Sequence, residues 1–201
     1  RIFQGAMESE GFNESFDLSG DTVARGEAES PRPLSELEID SLLGVVDSTL
    51  ISTGEDLLVA FSLSGASALE AGLVRVCDVD LANQLVQFHG ENPRAATLTQ
   101  WACGRVELFL NENQRESDQR LAVAEFVSYE NVARTVNTRL MNVMRMAGFR
   151  SGSGVTAKSI RLGAADVVLE LNGLEAAAVF LGNNSLDATA RMLGYEWWAT
   201  K

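Results

Sequence analysis

Histidine, cysteine and lysine are scarce in this chain of 201 residues, which has one His, two Cys, and two Lys against 14 Arg. A structural zinc site takes about four Cys or His ligands. Cys77, His89 and Cys103 are the only three and stand far apart, so no metal or cofactor centre is expected. Two cysteines make no disulfide framework, and both read as small apolar core residues. Long apolar runs are also missing. Nothing approaches the roughly 20 consecutive residues that cross a bilayer, and no basic stretch followed by an apolar one marks a signal peptide. The expectation is a soluble chain without a membrane span, at home in a virion or the cytoplasm. Positive charge is short as well: 28 acids against 16 bases give a net charge of −12. Phosphate binding needs clustered Lys and Arg, and such a chain repels a polyanion on average. Nucleic acid is therefore not an expected partner.

The acids are unevenly spread. Residues 1–41 hold ten acids and three bases, in a tract rich in Ser, Gly and Glu. Such a tract buries too little apolar surface to offset its ordering entropy. It carries spaced apolar anchors, Phe3, Phe12 and Phe16 among them, which suits an extended arm lying on a neighbouring surface. Pro31 and Pro33 close it. Then Leu34–Gly44 reads as a short helix: Ser35 and Glu38 form a capping box, and Leu37, Ile39, Leu42 and Leu43 make an apolar stripe. The expected division is an arm over 1–33, a docking helix over 34–44, and one domain over 45–201.

Within that domain, Leu57–Leu63, Leu73–Val79, Leu85–His89, Arg105–Leu110 and Leu121–Val127 are short apolar runs separated by Gly, Pro and Asn, which predicts strands. Residues 130–149 change period: Val132, Val136, Leu140, Val143, Met144 and Ala147 share one helical face. That stretch holds Arg134, Arg139 and Arg145, and 131–150 contains no acid, so it reads as the concentrated positive surface of the chain. Asp166–Leu171 and Leu174–Leu181 flank Asn172-Gly173, the preferred pair for a two-residue hairpin turn. A last helix runs to Leu193 and stops at Gly194, with Trp197 and Trp198 behind it as candidate partner anchors. The expected fold is α+β: an antiparallel, sandwich-like β-sheet with one long amphipathic helix packed on it, a C-terminal hairpin and helix, and the acidic arm.

Catalytic constellations are thin. Gly152-Ser-Gly-Val-Thr-Ala-Lys158-Ser159 is one residue from a P-loop, but Ala157 stands where the phosphate-cradling glycine belongs, and a helix rather than a strand precedes it. His89, in a predicted turn, is the one imidazole available to a nucleophile. Asp78, Asp80 and Glu107 leave a carboxylate hydrolase as a third possibility.

Leu34, Ser35, Glu38, Ile39, Asp40, Leu42 and Leu43 together resemble the N-terminal docking peptide of flagellar switch proteins, which binds the chemotaxis response regulator. The resemblance covers about ten residues, and it implies a signalling adaptor docking through 34–43. The leading expectation remains a non-enzymatic structural subunit of a larger assembly, of virion or phage type. It would form an oligomer and contact other protein subunits through Phe3, Phe12, Phe16, the Leu37/Ile39/Leu42/Leu43 face, Arg134, Arg139, Arg145, Trp197 and Trp198.

Overall fold

A computed structural model describes residues 31–48, 54–150 and 152–195. The described chain runs through helices α1 (Glu36–Ser48), α2 (Glu55–Leu63) and α3 (Ala68–Leu73) to a 3₁₀ turn (Val76–Asp78). Strands β1 (Val79–Asp80), β2 (Leu85–Phe88) and β3 (Arg94–Thr97) follow, then helices α4 (Gln100–Glu112), α5 (Tyr129–Met146), α6 (Ala157–Asn172), α7 (Leu174–Leu181) and α8 (Leu186–Leu193). The strands form one small antiparallel sheet in the order β1-β2-β3, with Val86 opposite Ala96 and Val79 opposite Val86. The fold is therefore mostly helical, and the sandwich-like sheet with a single long helix is not what forms.

The reason lies first in α2. Its residues Asp56 to Ser62 are all buried, and the helix touches α3, α4, α5 and α6. A helix enclosed on every side is apolar all round, so its sequence loses the 3.6-residue period and looks like a buried strand. The predicted strand Arg105–Leu110 lies inside α4, where Ala102, Val106 and Phe109 turn inward at helical spacing. Leu73–Val79 divides among the end of α3, the 3₁₀ turn and β1. Leu121, Ala122 and Val123 are buried as irregular chain, tied by the Leu121 N–H to the Val74 carbonyl at 2.9 Å. The predicted hairpin is a pair of helices. Gly173, at φ +84°, ends α6 and opens α7, so the residue type chosen for a turn serves a helix junction instead. Leu85–Phe88 is the strand that forms where the alternation predicts one. In α5, Val132, Val136, Leu140, Val143 and Met144 are buried, as their spacing requires.

The core is one cluster from Leu34 through α2, β2, α4, α5 and α6, with Phe61 and Phe88 edge-to-face at 6.5 Å. A smaller cluster of Leu162, Ala165, Ala177, Leu181 and Leu193 seats α7 and α8 on α6. The chain entering α1 is pinned on α6. The Arg32 N–H donates to the Gly154 carbonyl at 3.0 Å, and the Leu34 N–H to that of Ser159 at 3.2 Å. Leu34 is buried, and a Cβ on Gly163 would stand 2.5 Å from its carbonyl oxygen. Only glycine lets α6 approach that segment so closely. Among the described residues no helix is long and apolar enough to cross a membrane.

Candidate functional site

The ends of several elements meet on one face: the start of α3, the β2–β3 turn, the first turns of α6, the α7–α8 turn and α8. Ser67 caps α3 by accepting from the Glu70 N–H at 3.3 Å, while Glu70 Oε2 accepts from the Ser67 N–H at 2.7 Å. The other Glu70 oxygen accepts from Arg94 Nη1. Arg94 also donates to the carbonyls of Gly65 at 2.9 Å and Phe180 at 3.3 Å, and its guanidinium lies over the Phe88 ring. Asn92 Nδ2 donates to the Gly182 carbonyl at 2.9 Å, which fastens the β2–β3 turn to the α7–α8 turn.

Arg161 projects from α6 into this frame. Its Nη2 donates to the Leu181 carbonyl at 2.6 Å, its Nε is buried without a partner, and no carboxylate stands within ion-pair distance among the described residues. Burial lowers its pKa to about 10, against the raising field of Glu70 and with the lowering field of Arg94. A guanidinium so placed is a charge short of a counterion. Two open clefts flank it, of about 290 Å³ and 190 Å³, and Ser67 and Arg161 line both. The smaller also takes in Lys158, in the first turn of α6, where no acid sits. Burial and the nearby Arg161 push the Lys158 ammonium pKa down. The N–H groups at a helix start add to the positive field. Beyond Lys158 a further cleft of about 220 Å³ is lined by Pro31, Ala188, Arg191 and Met192. Together these groups can hold anions at successive points along one face.

A larger cavity of about 460 Å³ lies between β3 and α7, where Ala95, Ala96, Ala176 and Val179 make an apolar wall and Arg94 and Glu175 stand at its margin.

The anchors named from the sequence are not gathered here. Phe3, Phe12, Phe16, Trp197 and Trp198 lie outside the described residues. Leu42 is fully buried in the chain's own core, Ile39 and Leu43 pack against it, and Leu37 stands 78% exposed. Arg134 and Arg145 are exposed on α5, but Arg139 turns inward, its Nε donating to Glu55 at 2.9 Å and its Nη1 to the Ala122 carbonyl. The three do not form one surface. His89 donates to Asp78 at 2.7 Å, Asp80 binds Asn83, and Glu107 projects from α4, so the carboxylates do not converge on a cavity. Both thiols are free; Cys103 is half-buried and packs against the core as expected, whereas Cys77 is exposed. Burial raises the Cys103 pKa.

The sequence reading missed Arg161 and Arg94. A signal existed for the first: in Ala157–Asn172, Lys158 and Arg161 face no acid until Asp166, within an otherwise apolar stretch. Net charge concealed it.

No family model matches the sequence, and no curated relative does. Solved structures do match. XerA recombinase superposes with a TM-score of 0.67 at 19% identity, over 88% of this chain and 63% of that one. XerH site-specific recombinase, bound to difH substrate in a pre-cleavage complex, gives 0.62 at 16% identity, over 88% of this chain and 53% of that one. The Tn1549 transposon integrase, in complex with circular intermediate DNA, gives 0.64 at 11% identity, over 85% and 63%. The chain thus spans less than two thirds of each, and what it shares with them is the fold. These likenesses overturn the expectations of a non-enzymatic structural subunit of virion type, of a signalling adaptor and of a partner list without nucleic acid. The structures the chain resembles are of recombinases and integrases; those of XerH hold its difH substrate before and after cleavage, and that of the Tn1549 integrase holds circular intermediate DNA.

Proposed function

We propose that this chain is a duplex-DNA-binding domain of a recombinase- or integrase-like protein, and that it seats backbone phosphates along the Ser67, Arg161, Lys158 and Arg191 face. The observation that carries the reading is Arg161. It is a half-buried side chain set between two open clefts, whose guanidinium has no carboxylate within ion-pair distance among the described residues and whose Nε is buried without a partner. Guanidinium donors match phosphate oxygens in charge and in forked geometry. Lys158 and the start of α6 stand beside it in the smaller cleft, which no acid lines, whereas the other cleft also takes in Glu91 and the Arg94-paired Glu70, so the phosphate seat is the smaller one. The XerH and Tn1549 structures named above hold DNA, which supports duplex DNA over other polyanions.

The test is fluorescence anisotropy with a labelled duplex at low salt, on the full chain and on residues 31–201, which keep every described element. Binding that weakens at least tenfold in Arg161→Gln is expected. Absence of duplex binding by both forms would sink the reading.

A further inference from the structure

We propose that the acidic segment 1–30 docks on the Lys158–Arg191 cleft of its own chain and competes there with DNA. The competition rests on the DNA reading above; the docking does not.

Three observations carry it. The first is where the segment joins the body. Arg32 and Leu34 are fastened to Gly154 and Ser159 by backbone hydrogen bonds, and Arg32 is clamped to Glu38 by contacts of 2.6 and 2.8 Å. Pro31 is thereby fixed as part of the wall of the cleft that Lys158, Ala188, Arg191 and Met192 complete. The segment therefore enters the domain at the mouth of the basic cleft.

The second is charge. Residues 1–30 carry seven acids, Glu8, Glu10, Glu14, Asp17, Asp21, Glu27 and Glu29, against Arg1 and Arg25. The charged side chains lining the cleft are Lys158 and Arg191, both exposed, and neither has an ion pair among the described residues. No acid lines the cleft.

The third is reach. Chain geometry holds Glu29 within about 7 Å and Glu27 within about 14 Å of Pro31. Tethering so close to the cleft makes docking intramolecular, with an effective concentration on the order of millimolar. A modest attraction then suffices to fill it. Lys158 also lines the cleft around Ser67 and Arg161, so carboxylates on it exclude a phosphate from the proposed DNA face.

The chain's lysine content makes a direct test simple, since Lys158 and Lys201 are its only two lysines. Zero-length carbodiimide coupling of the full chain, read by peptide mass mapping, should join Lys158 to carboxylates in 1–30. The yield should fall several-fold at high salt and in Arg191→Gln. A second variant of the full chain, E8Q/E10Q/E14Q/D17N/D21N/E27Q/E29Q, keeps the segment's length and removes its charge. It should bind duplex DNA about tenfold more tightly than the unaltered chain. Failure of Lys158 to couple to the segment overturns the docking. Coupling together with unchanged DNA affinity overturns the competition. Coupling without DNA binding by either chain supports the docking and strikes the DNA reading instead.

Discussion

Glu70 meets two demands with one carboxylate. It completes the capping box at Ser67 and it neutralises Arg94, whose side chain is only 13% exposed. Taking one member from a buried pair strands the other charge, which costs roughly 3–5 kcal/mol. Glu70→Ala should lose about that much in urea unfolding, and a loss under about 1 kcal/mol would show that water reaches Arg94 freely. Glu38 makes a different kind of statement. Its hydrogen bond with Arg32, chiefly, holds its pKa at about 2 against an ordinary 4.5. A carboxylate with a depressed folded pKa adds stability that is fully present above the unfolded value and is lost as pH falls through the folded one. The part of acid unfolding that depends on this clamp should therefore fall between about pH 4.5 and 2. In Glu38→Gln, stability should drop less between pH 6 and pH 3 than in the unaltered chain. An equal drop in both would remove Glu38 from the acid response.

At the scale of elements, the long amphipathic helix α5 and the strand Leu85–Phe88 were legible, and the enclosed helix α2 was not. α5 shows its buried stripe in the sequence because its outer face is wet. α2 shows none because it has no outer face, and its Leu-Leu-Val-Ala-Phe run fits a central strand equally well. In α6 and α7, Asp166–Leu171 and Leu174–Leu181 alternate by accident of Ala and Val content, and Asn172-Gly173 fits a helix stop as well as a hairpin. The capping box Ser67-Ala-Leu-Glu70 was readable and would have made Ala68–Leu73 a helix. Half of the candidate site was hidden for another reason. Arg94 and Arg161 are 67 positions apart, and only the packing of α3, β3, α6 and α7 around them brings them together. Gly163 is the element-scale hinge of that packing. Alanine there gains up to about 1 kcal/mol of helix propensity, but its Cβ collides with the Leu34 carbonyl. Overpacking of this kind costs roughly 1–3 kcal/mol. Gly163→Ala should therefore lower stability and speed hydrogen exchange at the Leu34 amide, which donates to Ser159. A variant more stable than its parent would show that the 31–34 segment yields without cost.

Over the whole molecule, a net charge of −12 does not oppose the proposed phosphate contacts, because such contacts are local. Charges more than about 10 Å apart are largely screened at 0.1 M salt, so acids elsewhere do little to cancel Lys158, Arg161 and Arg191. Net charge instead sets the long-range approach, which for this chain is repulsive at low salt. The two effects separate in a salt titration. Each phosphate neutralised on duplex DNA contributes about −0.9 to the slope of log K against log salt. Lys158→Gln, Arg161→Gln and Arg191→Gln should each reduce the slope by about 1. Lys158→Gln and Arg191→Gln alter exposed side chains without an ion pair among the described residues and should leave unfolding within about 0.5 kcal/mol of the parent. If the slopes stay unchanged while affinity falls, these residues act through the fold, and the proposed phosphate contacts are not made by them.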